Sequence, residues 1–151
     1  MSEHSSEHAT FTIERTYGAA PERVFAAWAD PQIKYRWFGP PDGPNNRIDM
    51  DFRVGGHERF EAGVGDATYI YDALYQDIVE NRRIVYTYEM YRDEDRMSVC
   101  VSTVELEPSE DGTKLTYTEQ GVFLDGHDTA AMREHGTREI LGKLEAALEG
   151  S

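Results

Sequence analysis

The sequence predicts a domain of the α+β class in which an antiparallel sheet packs against one long C-terminal helix. Apolar and polar residues alternate in successive segments between Arg47 and Val122, as in antiparallel strands with one buried face. Two short helical patterns precede this run, and the apolar residues change to a helical period after Thr129. Helices that are separated along the chain from an antiparallel sheet are typical of the α+β class.

The chain begins with one strand and a first short helix. Thr10–Thr16 alternates, with Phe11 and Ile13 on the same face, and this pattern predicts the first strand. Pro21 suits the first turn of a helix because its missing N–H would have no partner there. The apolar stripe of this helix consists of Val24, Phe25 and Trp28.

A second short helix is predicted directly after the first. Asp30 is followed by a proline, so it can end the first helix and cap a second one that runs through Tyr35 and Trp37. The segment GPPDGPNN that follows is too rich in glycine and proline for regular structure. The aromatic residues of this region are expected to form a core under the helices: Trp28, Trp37 and Phe38.

About six antiparallel strands are predicted between this loop and the last helix. Tight turns separate them at Gly55-Gly56, at residues 81–83 and in the segment SEDGT. The strands cover the alternating residues 48–52, the segment HERFEAG, and residues 67–78, 84–90, 96–106 and 114–122. A twisted sheet of this kind encloses space between its inner face and a helix packed on it, and a ligand would occupy that space.

Residues 129–149 predict the long C-terminal helix, about 30 Å in length. Its apolar stripe consists of Thr137, Ile140, Leu141, Leu144 and Leu148. Gly136 and Gly142 each cost about 1 kcal/mol relative to alanine. Either they are tolerated, or they allow the helix to approach the sheet closely.

Composition restricts the class of protein. The 151 residues carry a formal charge of −14, which disfavours nucleic acid and anionic membranes as partners. No apolar run approaches the ~20 residues that span a bilayer. Residues 1–9 are polar, predict a flexible tail rather than a signal peptide, and leave residues 10–150 as a single domain. We therefore expect a cytoplasmic protein.

Neither metal chemistry nor a reactive nucleophile is indicated. The five histidines and the single cysteine lack the spacing of a zinc site, and we expect no metal and no other cofactor. Cys100 lies within a predicted strand, where alternation places it inward with Val104 and Leu106. A buried cysteine usually packs as a small apolar residue, although this thiol could also line the pocket.

Glu119 is the charged residue that stands out. It alternates with Leu115 and Tyr117, which should face inward, and a buried carboxylate needs a partner. The stripe of the last helix, followed backwards, reaches Arg133, so the two side chains could pair at the mouth of the pocket. Tyrosines on neighbouring strands would supply amphipathic walls. The candidate ligand-binding residues are Phe60, Tyr71, Tyr86, Tyr88, Met90, Cys100, Glu119, Arg133 and Thr137.

Several segments together resemble one protein family. They are APERVFAAWADPQIKYRWFGP, DMDFRVGGHERF, IVENRRIVYTYEM, GTKLTYTEQGVF and HGTREILGKLEAAL. In their order and spacing they resemble the family related to the C-terminal domain of the activator of heat-shock protein 90 ATPase, within the START-like, polyketide-cyclase-like (SRPBCC) superfamily. The resemblance runs from about Phe11 to Leu148. Where this family often has an aromatic residue after a glycine of the last helix, Thr137 follows Gly136 and would enlarge the pocket.

This resemblance implies a helix-grip (START-like) fold, with a curved antiparallel sheet wrapped around the long C-terminal helix and two short helices after the first strand. For function it leaves three hypotheses. The first is a binder of a small hydrophobic or aromatic molecule. The second is an enzyme of the cyclase or dehydratase kind that uses Glu119 and pocket tyrosines. The third is an interaction module for a heat-shock chaperone. The predicted edge strands also permit a homodimer.

Overall fold

Seven strands and three helices make up residues 4–38 and 47–149, which are the residues that the computed structural model describes. The helices are α1 (Pro21–Ala29), α2 (Pro31–Lys34) and α3 (Ala130–Glu149). The strands are β1 (Ser6–Tyr17), β2 (Arg47–Met50), β3 (His57–Val64), β4 (Ala67–Val79), β5 (Arg83–Arg92), β6 (Asp95–Ser109) and β7 (Gly112–Leu124). The segment GPPDGPNN, predicted to be irregular, lies outside the described residues.

The strands form one antiparallel sheet in the order β1-β7-β6-β5-β4-β3-β2. Each strand from β2 onward pairs with the next along the chain, and β1 closes the other edge by pairing with β7. The inner face of this curved sheet and the buried face of α3 contribute to a single apolar core. The α+β class and the helix-grip architecture predicted from the sequence are therefore confirmed.

Alternation decides which side chains enter the core. On β6 the inward residues are Ser98, Cys100, Ser102, Val104 and Leu106, and all of them are buried. On β7 the inward residues Leu115, Tyr117 and Glu119 are buried as predicted.

A bulge between Tyr75 and Asp77 shifts the register of β4 against β5. One extra residue on a strand changes which side chains point inward beyond it.

The first strand begins earlier than its predicted start at Thr10. Ser6–Ala9 already pair with residues 121–124 of β7, although the side chains of residues 6–8 are exposed. Backbone N–H and C=O groups make the ladder, so a strand can continue through residues whose side chains give no apolar signal. Alternation therefore marks the buried part of a strand and misses its exposed end.

The two short helices begin as predicted, and Asp30 both ends α1 and caps α2. Its Oδ1 accepts a hydrogen bond of 2.9 Å from the backbone N–H of Gln32. However, α2 is shorter than predicted and ends at Lys34. Residues 35–38 continue as turns, in which the N–H of Phe38 donates to the carbonyl of Lys34 over 2.9 Å. The side chain of Trp37 still reaches the core, where its Nε1 donates to the carbonyl of Ala27.

Helix α3 buries one stripe along its length: Arg133, Thr137, Leu141, Leu144 and Leu148. Ile140, predicted in this stripe, lies at its margin and is half-buried. A Cβ atom placed on Gly136 or Gly142 would meet no atom within 4 Å. Close approach to the sheet is therefore not the reason for either glycine, and both are tolerated at open positions of the helix.

Candidate functional site

A cavity of about 370 Å³ lies between the inner face of the sheet and α3. Strands β3, β4 and β5 form much of its wall, and α1 and the turn after α2 close one side. Aromatic rings dominate the wall: Trp28, Phe38, Phe60, Tyr69, Tyr71, Tyr86, Tyr88 and Tyr117. Helix α3 contributes Arg133, Thr137, Ile140 and Leu141. The cavity is thus largely apolar, with one guanidinium in its wall.

The structure places all of the predicted ligand-binding residues in this wall except two. Phe60, Tyr71, Tyr86, Tyr88, Met90, Arg133 and Thr137 line the cavity. Cys100 and Glu119 are fully buried but lie behind the wall rather than in it. Glu119 contacts the hydroxyls of Tyr88 and Tyr117, which themselves line the cavity, and alternation alone does not reveal this order. The role of the wall residues in ligand binding stays a prediction.

Glu119 is the centre of a buried hydrogen-bond network. Its Oε1 accepts from the hydroxyl of Tyr117 over 2.7 Å and from the hydroxyl of Tyr88 over 2.9 Å. Ser102 adds a longer contact of 3.4 Å to the same oxygen. Tyr88 and Tyr117 also line the cavity, so their hydroxyls connect its wall to a carboxylate that the cavity does not reach.

Arg133 occupies the other side of this network. Its Nη1 donates to the hydroxyl of Tyr88 over 2.8 Å and lies 3.8 Å from Oε2 of Glu119. Its Nη2 donates to Oγ of Ser98 and to Oδ2 of Asp128, each over 2.9 Å. The predicted pair of Glu119 and Arg133 therefore exists, but in the interior rather than at the mouth of a pocket. Burial lowers the pKa of Arg133, yet Tyr88, Glu119 and Asp128 outweigh this effect and hold it above its usual value.

A second buried cluster was not predicted from the sequence. Nζ of Lys34 lies 2.6 Å from Oε1 of Glu58, and the Tyr75 hydroxyl donates to the same oxygen over 2.5 Å. Lys34 is 1% exposed and Glu58 is fully buried. The ammonium group also lies 4.4 Å from the ring centre of Phe38, a residue of the cavity wall. Glu58 could have been found because it alternates with Phe60, as Glu119 alternates with Tyr117.

The sequence indicated less clearly that three other residues belong to the site: Asp128, Trp28 and Phe38. Asp128 precedes α3 in an irregular segment, where no periodicity indicates which way a side chain points. Trp28 and Phe38 were expected to form core under the short helices, and Trp28 is indeed buried. Both also contact the cavity, because the short helices pack across its side.

The wall tyrosines are hydrogen-bond donors rather than bases. Burial raises the pKa of Tyr71, Tyr88 and Tyr117 well above the ordinary value. Nearby tyrosines add to the effect, as does Glu58 for Tyr71 and Glu119 for the other two. Burial likewise raises the pKa of the Cys100 thiol to about 11, an effect that Glu119 increases. At neutral pH these groups are protonated, so none of them provides a ready nucleophile.

Alkaline pH should destabilise the protein through these tyrosines. In the unfolded chain a tyrosine titrates near pH 10, whereas the folded state holds these three protonated beyond that value. Their contribution to stability is therefore complete below about pH 10 and is lost as pH rises above it. In absorbance at 295 nm, we expect the buried tyrosines to ionise only together with loss of the folded circular dichroism signal. Complete titration of all nine tyrosines before unfolding would contradict this.

Four buried side-chain atoms of the described residues have no hydrogen-bond partner. They are Trp28 Nε1, Tyr71 hydroxyl oxygen, Glu58 Oε2 and Glu119 Oε2. The last of these still lies within ion-pair distance of Arg133, at 3.8 Å. A buried polar group without a partner costs about 1–3 kcal/mol. Trp28 and Tyr71 belong to the cavity wall, so part of this cost is located at the candidate site.

Two further findings bear on the kind of site. Within residues 4–38 and 47–149, no three His, Cys, Asp or Glu side chains are grouped so that they could hold a metal ion. None of the helices in the same ranges is both long enough and apolar enough to cross a membrane.

Solved structures of several bacterial proteins resemble this chain over nearly its whole length. A protein from Rhizobium leguminosarum is 43% identical, with a TM-score of 0.93, and the match covers 98% of this chain and 99% of that one. The Mll3558 protein from Rhizobium loti is 49% identical, with a TM-score of 0.88, over 95% of this chain and 99% of that one. The CV1439 protein from Chromobacterium violaceum is 25% identical, with a TM-score of 0.75, over 93% and 97% of the two chains.

No curated protein matches the chain in sequence. A family match covers most of it, however, from residue 18 to residue 149. This agrees with the resemblance noted in the sequence and with the helix-grip architecture. The chain therefore belongs to the family of activator of Hsp90 ATPase homolog 1-like proteins.

Proposed function

We propose that this protein binds a small, largely apolar molecule in the cavity between the sheet and α3. The observation that carries the proposal is the cavity itself, about 370 Å³ in volume and walled by aromatic rings. Ligand pockets have volumes of roughly 300–1,000 Å³ and mostly apolar walls. An apolar cavity of about 150 Å³ already accommodates benzene, and this cavity has about two and a half times that volume.

The polar atoms of the wall support an orienting role. Tyrosine presents an apolar ring together with a hydrogen-bonding tip, which suits a ligand that is itself mostly apolar. The Tyr71 hydroxyl and Trp28 Nε1 have no hydrogen-bond partner. Each of these atoms is itself fully buried, so a ligand acceptor would reach it only after the side chain turns, and the hydrogen bond would then remove part of its desolvation cost.

The arrangement supports a binder more than an enzyme of the cyclase or dehydratase kind. A general acid or base must come within hydrogen-bond distance of the atom it protonates or deprotonates. Glu119 lies behind Tyr88 and Tyr117, whose raised pKa keeps both hydroxyls protonated at neutral pH, so neither can act as a general base. The chaperone-module alternative rests on the family description and the charge of −14 rather than on a defined contact surface.

Native mass spectrometry of protein purified from its own source tests the proposal. We expect a mass excess over the 17.2 kDa chain that organic extraction removes and identifies as a small apolar compound. In parallel, a set of neutral aromatic compounds should raise the melting temperature, since a ligand at 100 times its Kd stabilises the folded state by about 2.7 kcal/mol. If no compound copurifies and none shifts the melting temperature, the proposal is wrong.

A further inference from the structure

We infer that the cavity selects uncharged aromatic ligands over carboxylate ligands of the same shape, because the chain's own carboxylates already neutralise the guanidinium in its wall. This inference rests on the proposed function and names the ligand class. It runs against the usual expectation, since an arginine in an apolar pocket is the ordinary partner of a ligand carboxylate.

Both Nη groups of Arg133 already donate hydrogen bonds within the protein. Nη1 donates to the Tyr88 hydroxyl over 2.8 Å and lies 3.8 Å from the Cys100 sulfur. Nη2 donates to Ser98 and Asp128, each over 2.9 Å. The Tyr88 hydroxyl, which accepts from Arg133, gives its own proton to Glu119. A ligand carboxylate would have to displace one of these partners before it could form the fork-like pair that arginine offers.

The formal charge around Arg133 is also unfavourable to an anion. Glu119 lies 3.8 Å and Asp128 2.9 Å from the guanidinium, so two carboxylates face one cation and the cluster is formally −1. Glu119, Asp128 and Arg133 are each at least nine-tenths buried as side chains. Like charges repel more strongly in such an interior than in water, because the effective dielectric constant is lower.

The other buried cation near the cavity does not reverse this balance. Lys34 is paired with Glu58 over 2.6 Å, so that cluster is formally neutral. Nζ of Lys34 lies 4.4 Å from the ring centre of Phe38, and Lys34 itself does not line the cavity. The whole chain carries a formal net charge of −14, and the resulting negative potential slows the approach of anions.

A matched pair of probes tests the inference: 2-naphthamide and 2-naphthoate, which differ little in shape and by one charge at pH 8. Isothermal titration calorimetry measures the Kd of each probe. We expect the Kd of the amide to be lower than that of the naphthoate by about tenfold or more. Equal affinity, or tighter binding of the naphthoate, would overturn the inference and leave the cavity as a binding site. If neither probe binds, the inference fails together with the aromatic ligand class.

The Glu119→Gln variant provides a second test of the inference with the same two probes. It removes one negative charge from the cluster and keeps an oxygen that can accept from Tyr88 and Tyr117. We expect naphthoate to gain affinity by about tenfold while naphthamide changes little, because only the anion meets the altered charge. Glu139→Gln is the control, since it makes the same change of net charge at a side chain on α3 that is 64% exposed, and it should alter neither affinity.

If Glu119→Gln does not fold, Asp128→Asn makes the same charge change on the other side of Arg133. Unchanged naphthoate affinity in a folded variant of either kind would show that the internal carboxylates do not set the charge preference. That result would also overturn the inference.

Discussion

Lys34→Met should lower the free energy of unfolding by about 3–5 kcal/mol, the cost of leaving one member of a buried ion pair without its partner. Lys34 and Glu58 are 1% and 0% exposed, and their charged atoms lie 2.6 Å apart. In the variant, the hydrogen bond from the Tyr75 hydroxyl is the one that the Glu58 carboxylate keeps among the residues that the structure describes. Urea unfolding monitored by circular dichroism measures the difference, and Arg53→Met, whose ion pair is exposed, should cost about 0.5 kcal/mol or less.

The double variant Lys34→Met, Glu58→Gln separates the unpaired charge from the loss of packing. Replacing a buried ion pair by hydrophobic residues of similar volume is often neutral or even stabilising. Here methionine is such a residue, and the amide oxygen of the introduced glutamine would still accept from the Tyr75 hydroxyl. We expect the double variant to be more stable than Lys34→Met alone, so the two changes would be strongly non-additive. Additive losses would mean that the aliphatic stem of Lys34, and not the pair, carries the stability.

The two buried ion pairs show what a sequence can predict about this interior. Glu119 lies on a long strand and Arg133 on a long helix, and both elements have a clear apolar period. The period showed that both side chains point inward, and from this their pairing could be inferred. Lys34 ends a helix of four residues, which is too short to establish a face. Its partner Glu58 did alternate with apolar residues, but nothing along the chain indicated which cation would meet it. Periodicity predicts direction, whereas pairing requires the packing of separate elements.

The fold was predictable because its strands and last helix are long enough to show their periods, and the cavity was predictable only in part. Inward alternation found Phe60, Tyr71 and Tyr88 in the wall. It could not separate side chains that reach the cavity from those behind it, such as Cys100 and Glu119. It also missed Trp28 and Phe38, whose contact with the cavity depends on how α1 and α2 cross the sheet. Volume is a property of that packing and not of any one segment.

Thr137→Trp should abolish binding in the cavity without unfolding the protein. Thr137 lines the cavity from α3, and its Oγ1 donates to the carbonyl of Arg133 in the same helix, over 2.8 Å. A larger side chain at this position can extend into a volume of about 370 Å³, and the hydrogen bond that it removes lies within α3. We expect the affinity for 2-naphthamide to fall by about a hundredfold or more. The free energy of unfolding should change by no more than about 1 kcal/mol, because the cavity accommodates the ring.

Met132→Trp is the matched control, since it places the same ring on α3 at a side chain that is 66% exposed. It should leave the affinity for 2-naphthamide unchanged. If the folded Thr137→Trp variant binds the probe as tightly as the natural protein does, the ligand occupies another part of the molecule. If both variants lose affinity equally, the effect comes from α3 as a whole rather than from filling the cavity. Only loss confined to Thr137→Trp places the ligand between the sheet and the helix, beside Arg133.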